Sequence, residues 1–244
     1  MKSLPKDTLF ANQDWPKTGF RFDDQVAEVF SDMARRSIPF YPMVQDWIVQ
    51  LFVQRQSNGK TVYDIGCSLG EQLFQLALHR QEDGPLLVGL DSAPEMITRA
   101  RTNPAMPHCQ DFLEFHVADC QTFDYASSSM IICSYTLQFI RPLQRASLLK
   151  RWRQALEGDG MLILSEKVIE RAPQHTHFCQ QLYFQFKTAQ GYSELEISRK
   201  REALEHVLIP FTLEENIHLL NSCGFSKVCL LFKWANFATF LAEP

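Results

Sequence analysis

No apolar run in this chain of 244 residues approaches the roughly 18 consecutive residues that a bilayer-spanning helix needs. The N-terminus also lacks the short apolar core of a secretion signal, so a cytoplasmic protein with no membrane association is expected. Basic charge is not in excess: 24 Lys and Arg stand against 28 Asp and Glu, whereas proteins that grip nucleic acid through phosphates usually carry a basic surplus. Direct nucleic-acid binding is therefore not expected. The seven cysteines (Cys67, Cys109, Cys120, Cys133, Cys179, Cys223 and Cys229) form no C-x-x-C pair and have no histidine at ligand spacing, which argues against a metal site and a disulfide framework alike. With 45% hydrophobic and 21% charged residues the composition excludes disorder, and the length fits one domain over residues 1–244.

One further pattern is missing. The dinucleotide fingerprint G-x-G-x-x-G is absent, and in its place Val62-Tyr63-Asp64-Ile65-Gly66-Cys67-Ser68-Leu69-Gly70 gives D-x-G-x-S-x-G after an apolar strand. A helix-period run through Gln72, Leu73, Leu76 and Ala77 follows at once. Glycine lets a backbone approach a ligand closely, and the first amides of the helix point outward unpaired. Asp64 at the strand end would repel a pyrophosphate and welcome an amino-bearing ligand. A strand, turn and helix that need small residues only for packing would fit the motif equally well.

Downstream, strand and helix alternate as in a parallel sheet. Strands are predicted at Leu86–Leu90, Leu113–Val117, Met130–Cys133 and Met161–Leu164, with helices from Pro94 and over Pro142–Leu156 and a turn at Gly158-Asp159-Gly160. Asp64, Asp91 and Asp119 then fall one per strand at the carboxyl ends, where open α/β sheets bind ligands. Asp91 is placed to accept both hydroxyls of a ribose and Asp119 an adenine amino group. Each alone could be an ordinary loop carboxylate; the ordered set favours an S-adenosyl-L-methionine site over a nicotinamide one.

Flanking segments complete the plan. Residues 1–19 are expected to form an arm or a loosely attached strand, and Val26, Val29, Phe30 and Met33 mark a helix. Pro39-Phe40-Tyr41-Pro42 then breaks the run before a second helix through Trp47, Ile48, Leu51 and Phe52. Tyr41 at this break is either a packing aromatic, the slightly favoured reading, or a lid beside a ligand. The chain thus divides into an N-terminal arm and helices (1–56), a cofactor-binding core (57–167), a helical insertion (168–211) and a closing helix with an antiparallel hairpin (212–244). Phe178, Leu182, Tyr183 and Phe186 give the insertion an apolar helix face.

The segments FDDQVAEVFSDM, RSIPFY, YDIGCSLG, YTLQF, LILSEK and GYSELEISRKR, in this order, make the chain similar to the carboxy-S-adenosyl-L-methionine synthase family from about Asp7 to the C-terminus. The resemblance implies a class I methyltransferase-like α/β fold: a mostly parallel seven-stranded sheet with helices on both faces. It further implies an enzyme in which S-adenosyl-L-methionine is the acceptor, its methyl carboxylated by the carboxylate lost from prephenate, leaving phenylpyruvate and water. The product would feed a tRNA carboxymethyltransferase acting on the wobble uridine, and the family is homodimeric. No general base is demanded, because the hydroxide leaving prephenate can take the methyl proton, so a dry and oriented pocket carries the chemistry.

Carried over by position, the family's ligand contacts fall on Tyr41, Gly66, Cys67, Ser68, Asp91, Ser92, Asp119, Cys120, Ser134 and Arg201, with Asp64 added from the strand-end reading. Ser92 and Ser134 stand where many members have asparagine, and Cys120 where a branched apolar residue is commoner. Arg199-Lys200-Arg201 alone would be read as a solvated helix face; the resemblance instead gives Arg201 the new carboxylate, held through two parallel hydrogen bonds. Tyr192 and His206 are nearby candidates for prephenate, with packing the favoured reading. An ordinary small-molecule methyltransferase and a non-catalytic partner of a tRNA-modifying enzyme are the alternatives.

Overall fold

In the computed structural model, residues 5–11, 20–56 and 59–244 are described. The order of elements is α1 (Asp24–Ser37), α2 (Tyr41–Gln54), β1 (Thr61–Ile65), α3 (Glu71–Ala77), β2 (Leu86–Asp91), α4 (Pro94–Arg101), β3 (Leu113–Val117) and β4 (Ser128–Ser134). There follow α5 (Pro142–Ala155), β5 (Leu156–Ile169), α6 (Pro173–Ala189), α7 (Glu194–Leu204), β6 (Phe211–Thr212), α8 (Leu213–Ser222), β7 (Lys227–Trp234) and β8 (Phe237–Glu243). The sheet runs β3-β2-β1-β4-β5-β8-β7, and the two-residue β6 joins the far end of β5 as an eighth strand beyond the expected seven. Pairing is parallel from β3 through β5 and antiparallel for β8 and β7. Strand order therefore reverses between β1 and β4, and the crevice above such a reversal is where these sheets take ligands.

Alternation along the strands supplies two cores. Tyr63 and Ile65 of β1 face Leu148, Leu149 and Trp152 of α5 and Leu220 of α8. Val62 faces the other way, against Val44, Ile48 and Phe52 of α2 and Leu73 and Leu76 of α3. Val44, Ile48 and Phe52 recur every four residues, which puts one apolar stripe of α2 on the sheet. The helix cannot begin earlier, because Phe40 sits in the left-handed region at φ 58 and Pro42 occupies the first turn. Asp23 caps α1 by accepting from the Val26 amide at 3.1 Å, and Ser193 and Thr212 form capping boxes on α7 and α8.

Two expectations are corrected. The fifth strand is much longer than Met161–Leu164: it starts at Leu156, which pairs with Ser128 directly after α5, and Gly158-Asp159-Gly160 loop out of it as a bulge before Met161 pairs with Met130. The residues 5–11 of the predicted loose arm are seated firmly and form no strand. Asp7 and Phe10 are both buried; the Asp7 amide donates to Asp32 Oδ2 at 2.7 Å, while Phe10 packs with Val26, Val29 and Met33. The remainder of that arm lies outside the described residues. Among the described residues no helix is long and apolar enough to cross a membrane.

Candidate active site

The turn after β1 is built by backbone geometry that side chains tolerate poorly. Gly66 (φ 72) and Gly70 (φ 74) lie in the left-handed region, and a Cβ on either would overlap a neighbour, the Thr136 side chain at Gly66 and the Phe115 ring at Gly70. Ser68 shares that region at φ 50, a strain that is tolerated where the surroundings fix it. Those surroundings are the end of β2: the Gly66 and Cys67 amides donate to Leu90 O at 2.7 and 3.0 Å, and the Ser68 amide donates to Asp91 Oδ2 at 2.9 Å. Asp91 Oδ1 accepts from the Ala93 amide, also at 2.9 Å. Each carboxylate oxygen keeps acceptor capacity for a ligand hydroxyl.

Asp64 extends from β1 on the same side as Val62 and is only 4% exposed. Burial, with the Asp91 carboxylate second, holds it up at about 7. Burial also raises Asp91, against the amides that hydrogen-bond it. The third acid, Asp119, is exposed and closes its own loop by accepting from the Gln121 amide at 2.9 Å. Cys67 and Cys120 are kept as thiols, Cys120 pushed up to about 12 by burial and then by Asp119.

One cavity of about 600 Å³ lies above these strand ends. Tyr41, Asp64, Gly66, Cys67, Ser68, Asp91, Ser92, Asp119, Cys120 and Ser134 surround it; Arg201 does not. Arg201 is exposed on α7, close enough for its charge to depress the Lys167 ammonium. Its neighbour Lys200 points inward instead, donating to Ser37 Oγ at 3.1 Å and lying 3.7 Å from Asp7 Oδ2. Arg199 donates to the Phe10 and Ala11 carbonyls at 3.0 and 3.2 Å, so the three cations leave α7 in three directions. Tyr192 and His206 do not line the cavity; the Tyr192 hydroxyl donates to Asp7 Oδ2 at 2.6 Å.

Reasoning from the sequence missed Gln72, Tyr135, Gln138, Lys167, Tyr183 and Lys200, all of which line the cavity. The Gln72 Oε1 and Tyr135 hydroxyl are buried without a hydrogen-bond partner among the described residues, as polar groups awaiting a ligand would be. LILSEK and YTLQF contain Lys167 and Tyr135, yet no local pattern tells which face of the sheet each takes. Among the described residues no group of His, Cys, Asp or Glu is placed to hold a metal ion.

The strand order, the left-handed turn after β1 and an acid at each of three strand ends define a class I methyltransferase-like protein. A family model described as "Methyltransferase domain" matches residues 62–160. The fold is shared with a putative O-methyltransferase from Nostoc punctiforme (TM-score 0.64, 16% identity, 91% of this chain and 60% of that one) and with human N-acetylserotonin methyltransferase in complex with SAM (TM-score 0.61, 15% identity, 90% and 55%). Curated relatives are more specific. Carboxy-S-adenosyl-L-methionine synthase of Sulfurimonas denitrificans is 44% identical over 93% of this chain and 95% of its own length, and that of Wolinella succinogenes is 41% identical over 98% of both. The Pseudomonas aeruginosa enzyme of the same name is 40% identical, again over 98% of both. The chain belongs to the carboxy-S-adenosyl-L-methionine synthase family.

Proposed function

We propose that this enzyme converts S-adenosyl-L-methionine and prephenate to carboxy-S-adenosyl-L-methionine, phenylpyruvate and water. The observation that carries the reading is near full-length similarity to synthases of that name, together with ten of the eleven expected contact residues around one cavity. In this reading Asp91 takes the ribose hydroxyls, Asp119 and Cys120 the adenine, and the ionised Asp64 the amino group of the methionine part. Arg201 lies outside the cavity lining, and its contact with the carboxylate of the product is carried over from the family resemblance alone. The methyl proton leaves with the hydroxide of prephenate as water, so the enclosing residues need only orient the two reactants and exclude bulk solvent.

The protein is further proposed to work in the cytoplasm as a homodimer that supplies a tRNA carboxymethyltransferase. An apolar surface supports the dimer: the exposed Phe40 stacks edge-on against Phe232 and Trp234, and Phe186 against Trp234. Incubation of the purified protein with S-adenosyl-L-methionine and prephenate tests the reaction by mass spectrometry. A nucleoside heavier by one CO2 unit is expected; a methylated second product would make the protein an ordinary methyltransferase, and binding without turnover a non-catalytic partner.

A further inference from the structure

The end of the cavity away from Asp64 and Asp91 is made of aromatic rings and the cation of Lys167. Lys167 lies near the end of β5, its amide held by Gln138 Oε1 at 2.9 Å and its backbone paired with Phe237 of β8. Alternation puts its side chain on the sheet face of Ile163 and Ser165, the face that also carries Asp64, and it lines the cavity. Asp64 shares a row with Ile132 of β4, which pairs with Ile163 of β5, so Lys167 stands two strands across and four residues further up. That separates the two backbones by roughly 16 Å.

Four lysines elsewhere meet a carboxylate: Lys60 has Glu157, Lys200 has Asp7, Lys227 has Glu243 and Lys233 has Glu170. Lys167 Nζ has no hydrogen-bond or ion-pair partner among the described residues and rests 5.2 Å from the centre of the Tyr183 ring. Burial, and after it the like charge of Arg201, lowers it to about 8. An uncompensated half-enclosed ammonium is costly, and such groups concentrate where a ligand brings the opposite charge.

Around it the rings of Tyr41 and Tyr135 lie 6.3 Å apart, Tyr135 and Phe237 meet at 6.0 Å and 70°, and Tyr183 and Phe237 at 5.0 Å and 62°. Tyr135 is held at φ 60, in the left-handed region, and its buried hydroxyl has no partner. The Tyr183 hydroxyl, by contrast, is committed to the Ser37 carbonyl at 2.9 Å. Faces and edges of this kind suit an unsaturated ring, and Tyr135 retains one donor for it.

We infer that Lys167 anchors a carboxylate of the second substrate, a ring-bearing acid held among Tyr135, Tyr183 and Phe237 with the Tyr135 hydroxyl as an added donor. This rests on the reaction proposed above and supplies the side chains that would read its ring acid. The acids at the other end repel a dianion, so the ligand takes one orientation, with its charge at Lys167 and away from the ribose site.

The test is a set of dissociation constants for prephenate and for phenylpyruvate on the protein loaded with S-adenosyl-L-methionine, beside the constant for S-adenosyl-L-methionine itself. Lys167→Met should weaken both ring acids on the order of a hundredfold and leave the nucleoside within about twofold. Lys167→Arg should recover most of the loss, and Tyr135→Phe should weaken the ring acids by about tenfold. Unchanged ring-acid affinity in folded Lys167→Met, or an equal loss for the nucleoside, overturns the anchor. If Lys167→Met has no cooperative melting transition, Lys167→Gln and Tyr135→Phe carry the same comparison. Ring-acid binding without any carboxylated product would overturn the proposed reaction and support the anchor; product formation by Lys167→Met at an unchanged KM for prephenate would overturn the anchor and support the reaction.

Discussion

The two ends of the cavity are built by opposite means. At the acidic end each contact comes from a strand terminus and its adjoining turn, so Gly66 to Ser68, Asp91 with Ser92, and Asp119 with Cys120 arrive as short neighbouring groups. At the cationic end Tyr41, Tyr135, Lys167, Tyr183 and Lys200 come from five places along the chain and meet only after β5, α6 and α7 have packed. In the proposed reading a nucleoside can be held by local motifs, whereas the partner substrate is read by side chains that only the packed fold brings together.

The sharpest way to break the acidic end alone is Gly66→Val. A side chain there must adopt a left-handed backbone and displace Thr136, which should cost about 2 to 5 kcal/mol of stability. Denaturant titration should show that loss, and calorimetry should show no saturable binding of S-adenosyl-L-methionine. A melting curve and affinity like those of the parent would mean that the turn is not the nucleoside's seat.

Asp91→Ala comes next. It removes the acceptor for the Ser68 and Ala93 amides as well as the proposed ribose contact, so affinity for S-adenosyl-L-methionine should fall by about 1.5 to 3 kcal/mol, roughly ten- to a hundredfold. Retained affinity in calorimetric titration would remove Asp91 from the ribose site. Arg201→Ala should weaken carboxy-S-adenosyl-L-methionine by about 1.5 to 3 kcal/mol while sparing the uncarboxylated cofactor, and Arg201→Lys should restore only part, since an ammonium cannot make the planar two-point contact. Competition at fixed salt measures both; equal losses would assign Arg201 to the fold.

The smallest effect is a crossed pH dependence. Asp64, raised by burial to about 7, is neutral below that pH and ionised above it, so affinity for the amino-bearing nucleoside should climb as pH rises through about 7. The same shift makes the unliganded protein bind more protons than its unfolded chain between the ordinary carboxylate range and about 7, so its stability should fall as pH rises across that window. Lys167, lowered to about 8, faces Tyr183, Arg201 and Lys187, none of them a carboxylate, and should lose its hold on a ring acid as pH rises through about 8. Titrations of the two ligands across this range should therefore slope in opposite directions; parallel slopes would mean that one shared event controls both.

Legibility in the sequence follows the same division. The acids and glycines of the nucleoside end could be placed because a parallel sheet fixes where strand ends lie, and the strands from β1 to β4 fall within two residues of expectation. Tyr41, by contrast, could not be moved from packing to lining by any local pattern, because its position depends on how α2 meets the sheet. The run Arg199-Lys200-Arg201 shows why the other end was obscure: helical geometry turns each residue about 100° from the last. Only packing of α7 against Ser37 and Asp7 selects Lys200 to face inward. For Gly158-Asp159-Gly160 the turn preference was plain, and it is met by a bulge between the Leu156 and Met161 pairings, inside a strand that begins earlier than local pattern suggests.

The central claim is that one cavity holds both reactants and passes a carboxylate between them. Its most direct measurement uses prephenate labelled with ¹³C at the ring carboxylate, S-adenosyl-L-methionine and a large excess of unlabelled bicarbonate, with the isotope content of the carboxylated nucleoside read by mass spectrometry. Transfer within the cavity requires that the product carry the label undiluted. A product whose label is diluted towards the bicarbonate pool, or a nucleoside left uncarboxylated, would contradict it.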